Sequence, residues 1–125
     1  MKQKKGIPVI LVVEDDESTL RMMYYFLRED YEPKFADRIS EAREILKSEP
    51  VEMILLDLSL KGKGDGLDLV RELRKSKKWK KIPIIATTAH VFTTDKERCM
   101  EAGCNDFLPK PISRTQMLNT IEKWL

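Results

Sequence analysis

Five short apolar runs, each followed by a segment of helical period, predict a doubly wound α/β sandwich around a five-stranded parallel sheet. Three observations carry this. The longest runs are continuously apolar rather than alternating, as strands buried on both faces must be. Runs and helical segments alternate strictly along the 125 residues, so each pair of strands is joined by a helix. Right-handed crossovers then place helices on both faces of the sheet.

The elements follow in order. "PVILVV" (8–13) is the first strand. Asp16 is placed to cap a helix on which Leu20, Met23, Tyr24 and Leu27 recur at helical spacing. "YEPKFA" (31–36) is a weaker strand, and Pro33 assigns it to a sheet edge. Asp37 is the expected cap of a second helix carrying Ala42, Ile45 and Leu46 inward. "MILLD" (53–57) is the third strand, and Leu69, Val70 and Leu73 mark the helix after it. "IPIIATT" (82–88) is the fourth strand, followed by a helix over 94–102 with Thr94 or Asp95 near its start. Gly103 ends that helix and opens a short fifth strand, "NDFLPK" (105–110). Ser113 and Gln116 form a capping box for a last helix that packs Met117, Ile121 and Leu125.

Length and composition predict one domain over residues 1–125, with a single core. Acidic and basic residues nearly balance, 21 against 23, so no whole-surface field selects a partner. Cys99 and Cys104 are too few for a disulfide framework, and with no second pair or nearby His they do not make a zinc site. Reduced thiols in a cytoplasmic setting are expected. The apolar run after Lys2, Lys4 and Lys5 stops at Glu14-Asp15-Asp16 without a small-residue cleavage pattern, so it reads as a strand rather than a signal peptide. No apolar stretch is long enough to cross a bilayer, and a soluble protein without a membrane partner is expected.

Ligands of such folds bind beyond the carboxyl ends of the strands. The first strand ends in Glu14-Asp15, the third in Asp57, the fourth in Thr88 and the fifth in Lys110. Three carboxylates, a hydroxyl and an ammonium therefore meet at one rim. Two unit charges about 5 Å apart repel by about 3 kcal/mol at an effective dielectric near 20. Such a cluster calls for a cation, and oxygen-only surroundings favour Mg²⁺. A carboxylate beside a divalent ion and a lysine is also a competent phosphoryl acceptor. Asp57 thus sits at the end of a buried strand because rigidity fixes its attack geometry.

"ILVVEDDES", "MILLDLSL", "IPIIATTAH" and "AGCNDFLPKPIS", in this order and spacing, closely resemble the receiver domain of two-component response regulators. The resemblance covers essentially the whole chain. It implies the flavodoxin-like strand order 2-1-3-4-5. It implies that Asp57 takes a phosphoryl group from a phosphohistidine on a histidine kinase or histidine phosphotransfer protein. Asp15 would hold Mg²⁺ directly and Glu14 mostly through water, with Asp57 and the Ser59 backbone carbonyl as further ligands. Lys110 would pair with one phosphoryl oxygen, and the Thr88 hydroxyl would move to bond another. Phe107 matches the aromatic that turns inward when Thr88 shifts, and Lys110-Pro111 matches a bond usually cis in the family. His90 and Ser59 match two positions that tune phosphate lifetime. A downstream protein would read the face formed by the fourth helix, fifth strand and fifth helix. Such a chain catalyses its own phosphorylation and dephosphorylation but turns over no external substrate.

The rival readings are weaker. A haloacid-dehalogenase-type phosphatase needs a second Asp two residues after the nucleophile, where Ser59 stands. Thr87 rivals Thr88, but counting from Pro83 selects Thr88. "RKSKKWKK" (74–81) reads as a solvated helix end and loop rather than a nucleic-acid site, since no binding module accompanies it. The alternative to a phosphoacceptor is a pseudo-receiver, a binding module that no longer takes phosphate. It draws on a departure from the pattern: Lys61 replaces the usual proline four residues after Asp57, and "KGKGDG" carries one extra residue. "GKGDG" lacks the Gly-Lys-Ser/Thr ending of a P-loop. If its lysines form a basic rim for the kinase, Lys61→Ala/Lys63→Ala slows kinase-driven phosphorylation; unchanged rates refute that role.

Overall fold

A computed structural model describes residues 6–60, 66–89 and 93–125. The expectations for His90 and for Lys61 and its neighbours through Asp65 lie outside the described residues. Five strands and five helices alternate. They are β1 (Val9–Val13), α1 (Glu17–Leu27), β2 (Glu32–Ala36), α2 (Ile39–Ser48), β3 (Val51–Asp57), α3 (Gly66–Arg74), β4 (Ile84–Thr88), α4 (Thr93–Ala102), β5 (Asp106–Pro109) and α5 (Arg114–Trp124). All strand pairs are parallel, in the order β2-β1-β3-β4-β5. β2, with its Pro33, lies at the edge as its sequence requires.

Strand pleating sorts the core into two layers. Leu11, Val13, Ile54, Leu56, Ile84 and Ala86 pack on one face with side chains of α2, α3 and α4, among them Ala42, Leu46, Leu69, Val70 and Cys99. Ile10, Val12, Met53, Leu55, Ile85 and Leu108 pack on the other with Met23 and Leu27 of α1 and Met117 and Ile121 of α5. Each such large side chain, fully buried, contributes about 1.5–3 kcal/mol. The central strands are therefore rigid up to their last residues, where the polar rim begins.

Helix ends show where local chemistry was readable. Asp16 caps α1, its Oδ2 accepting from Thr19 N–H at 2.9 Å. Ser113 caps α5, its Oγ accepting from Gln116 N–H at 3.2 Å. Asp37 does not cap α2. Arg38 holds that position without a side-chain bond, and Asp37 instead donates its N–H to Glu41 Oε1 at 2.9 Å. The carboxylate of Glu41 thus reaches back over the first turn and ties down the chain just ahead of the cap residue. Two expected core residues also face outward. Tyr24 is 42% exposed, beneath the Arg28 guanidinium, and Leu125, just past the end of α5, is 46% exposed.

α4 ends in a Schellman turn. Cys104 N–H bonds Cys99 C=O and Gly103 N–H bonds Met100 C=O, both at 3.1 Å, with Gly103 at φ +122°. Arg74, at the end of α3, locks this turn. Its guanidinium donates to the carbonyls of Gly103 (2.9 Å) and Ile82 (2.7 Å) and to Asn105 Oδ1 (2.8 Å), which also accepts from Ile84 N–H. Gly103 lies so close that an added Cβ would meet Arg74 Cγ at 2.7 Å. Gly103→Ala therefore combines a disfavoured φ with a clash, and is expected to lose about 1–3 kcal/mol in urea denaturation. A loss within error of zero would mean that the turn relaxes freely.

Candidate functional site

The rim at the carboxyl ends of β1, β3, β4 and β5 gathers the predicted residues. Glu14 follows β1, and its backbone N–H bonds Ala36 C=O at 2.9 Å, so the sheet ladder fixes its position. Asp57 is the last residue of β3 and Thr88 the last of β4. Lys110 follows β5 and is pinned by its N–H to Thr88 C=O at 2.8 Å. The Lys110-Pro111 bond is cis, as the resemblance implied.

Glu14 and Asp57 are almost wholly buried, at 1% and 2% exposure. Lys110 Nζ lies 2.8 Å from Glu14 Oε1 and 3.4 Å from Asp57 Oδ1, bridging the pair. Glu14 Oε2 accepts from Asp16 N–H at 3.0 Å, and Asp57 Oδ1 from Ser59 N–H at 2.9 Å. With half-buried Asp15, the two carboxylates form a group whose ligand atoms lie within 4.8 Å of one another. Those three side chains suit a hard divalent cation, since oxygen is their only donor atom.

The electrostatics are those of crowded like charges held by one cation. Burial pushes the Glu14 carboxyl above its ordinary 4.5; the Lys110 and Asp16 hydrogen bonds pull it down, and the Asp57 charge pushes it further up. Burial alone would lower the Lys110 ammonium. The Glu14 hydrogen bond and the Asp57 and Glu14 charges outweigh it, so Lys110 stands above its ordinary 10.5.

Thr88 and Phe107 are joined by the pleat. Ala86 is in register with Phe107, and Thr88, two residues on, returns to the same face. Phe107 accordingly packs against the α2–α3–α4 layer. Thr87 is also buried, but it shares the Ile85 face, towards α1 and α5. Two features were not foreseen. The direct Glu14–Lys110 contact was missed because metal coordination had been assigned to Glu14 and phosphate binding to Lys110. Lys96 of α4 stands 5.7 Å from the Phe107 ring centre, a pairing between distant segments that no local pattern announces.

A parallel sheet in the order β2-β1-β3-β4-β5 with an acidic rim and a bridging lysine defines a class of doubly wound α/β proteins with an oxygen-donor site at the strand ends. The comparisons narrow it. The profile of the response regulator receiver domain matches residues 10–122, and the chain belongs to that family, the receiver domains of two-component signalling. It is similar to the polar-differentiation response regulator DivK of Brucella ovis, 28% identical over 93% of this chain and 94% of DivK. It is also similar to the sensor histidine kinase GacS of Pseudomonas protegens, 29% identical over 94% of this chain but only 13% of the kinase. Among solved structures, the receiver domain of the sensor histidine kinase PA1611 from Pseudomonas aeruginosa superposes with a TM-score of 0.84 at 30% identity, covering 94% of this chain and 97% of that one. It holds a magnesium ion in its active-site cleft. The Vibrio cholerae chemotaxis protein CheY4 has the same fold, with a TM-score of 0.88 at 23% identity over 95% of this chain and 99% of its own. No helix among the described residues is long and apolar enough to cross a membrane.

The raised Glu14 value has a consequence for stability without metal. Folding favours the protonated form, so this group's contribution is fully present below pH 4.5 and is lost as pH rises through the folded value. In chelator, the wild-type protein should lose stability across that window in urea denaturation, and Glu14→Gln should remove that loss. Equal pH slopes for the two would contradict this electrostatic picture.

Proposed function

We propose that Asp57 accepts a phosphoryl group from a phosphohistidine on a histidine kinase or phosphotransfer protein, in a Mg²⁺-dependent reaction. The observation that carries this reading is a buried strand-end carboxylate 3.4 Å from Lys110 within a cluster of three acidic side chains. An Asp57 oxygen attacks phosphorus, the P–O bond forms as the P–N bond breaks, and the imidazole departs with the bonding pair. The product is an acyl phosphate. Ser59 N–H and Lys110 hold Oδ1 and so fix the plane of the attacking carboxylate. Lys110, 3.4 Å away, is in reach of an equatorial phosphoryl oxygen, and the hydroxyl of Thr88, the last residue of β4, is the proposed partner for another.

Glu14, Asp15, Asp57 and the Ser59 carbonyl are the groups that would hold Mg²⁺; when bound, the ion neutralises charge on the carboxylates and the transferring group. The magnesium in the PA1611 receiver supports the same role in this chain. Phosphorylation is expected to draw Thr88 towards the phosphoryl group and Phe107 inward. This would shift a two-state equilibrium in the face of α4, β5 and α5 that a downstream protein reads. The domain then acts as a cytoplasmic switch rather than an enzyme with an external substrate.

Intact mass after exposure to a small phosphodonor tests the reading. Wild-type protein should gain one phosphoryl group only with Mg²⁺, and Asp57→Ala none. Mg²⁺ binding without any gain, from either a small donor or a phosphohistidine donor, would leave a pseudo-receiver.

A further inference from the structure

The end of the molecule opposite Asp57 carries a second built surface. The C-terminal halves of α2 and α3 diverge there over a cavity of about 160 Å³, floored by Leu46, Leu69 and Leu73 and walled by the half-buried Trp79 ring. An apolar cavity of about 150 Å³ is large enough for a benzene-sized group. Arg43 and Glu72 close one side, joined by a two-pronged ion pair with contacts of 2.8–3.2 Å that neutralises both charges. Ser76 and Lys47, the latter 3.7 Å from Glu44, complete the lining, and further lysines flank it in the segment around Trp79. Lys75, Lys77, Lys78, Lys80 and Lys81 are all exposed in the segment that also supplies Trp79, and exposed Lys47 lines the cavity from α2. Arg74, the remaining basic residue of the run, is turned inward to bind the carbonyls of Gly103 and Ile82.

We propose that this hollow docks an acidic protein segment, seating one aliphatic or aromatic side chain between Leu46, Leu73 and Trp79 while flanking carboxylates meet the lysines. Charge complementarity sets the sign of the partner. The shape of the apolar element sets its class. A membrane surface would be met by protruding apolar side chains, but the large exposed ones among the described residues (Tyr24, Tyr25, Met100 and Leu125) lie elsewhere, and here the apolar surface is concave. A nucleic acid would need an open aromatic face for stacking, whereas the Lys78 ammonium stands 4.8 Å from the Trp79 ring centre. The inference does not depend on the phosphoacceptor reading, because this surface lies at the amino ends of the strands.

The test is a heteronuclear NMR titration of the full chain with a glutamate-rich peptide carrying two central leucines. The same peptide with serines, an oligothymidylate and phosphatidylglycerol vesicles are run in parallel. The leucine peptide should shift the Trp79 indole N–H and the Leu46 and Leu73 methyls. It should bind at least about tenfold more tightly than the serine peptide, a difference of about 1.4 kcal/mol. Lys77→Glu/Lys78→Glu/Lys80→Glu should abolish the shifts while its circular dichroism and Asp57 phosphorylation stay at the wild-type level. No shift at Trp79, equal binding of the serine peptide, or stronger binding of the oligonucleotide or vesicles would each overturn the proposal.

Discussion

Two carboxylates removed from water and held by one lysine are the constraint around which this molecule is arranged. Glu14 follows β1 and Asp57 ends the adjacent strand β3, and Lys110 reaches both from just after β5. Losing one partner of a buried charge group typically costs about 3–5 kcal/mol, because the others stay buried and uncompensated. The protein tolerates this arrangement because the strands beneath it are fully buried and cannot relax. The same rigidity that makes the site electrostatically tense makes its geometry reproducible, which an in-line phosphoryl transfer requires.

The two ends of the sheet solve different problems. At the carboxyl ends, charge is concentrated: three carboxylates cluster and one lysine bridges two of them. At the amino ends, a single guanidinium is spread over backbone carbonyls. Arg74 ties α3 to the turn after α4 and to Asn105 ahead of β5. The C-terminal end of α4 and the start of β5 are thereby anchored to α3. Lys96 above Phe107 adds a contact between α4 and β5.

Much of this was legible in the sequence because it depends on short-range pattern. Continuous apolar runs marked β1, β3 and β4, and the first polar residues after the first and third, Glu14 and Asp57, are the ones that the fold brings together with Asp15. Pro33 placed β2 at an edge, and Gly103 did stop α4. The failures share a cause: they turn on which of two chemically similar options the tertiary structure selects. Asp37 offered a cap for α2, but the cap falls one residue later, at Arg38, and Asp37 is held through its N–H by Glu41. Tyr24 sits at a position that helical period turns inward, but its ring is 42% exposed, tilted against Phe35 and beneath Arg28. Arg74 read as one charge in a basic run because nothing local distinguishes it from the five exposed lysines after it.

The central claim is that Lys110, 2.8 Å from Glu14 and 3.4 Å from Asp57, serves as the counter-charge of the acidic pair. Calorimetric titration of Mg²⁺ into wild-type protein and Lys110→Met tests it directly. A fixed positive charge within several ångströms of the site opposes the ion, so its removal should tighten Mg²⁺ binding by about tenfold or more. Unchanged or weaker binding in Lys110→Met would contradict the account and make the lysine a structural support rather than a competitor for the carboxylates.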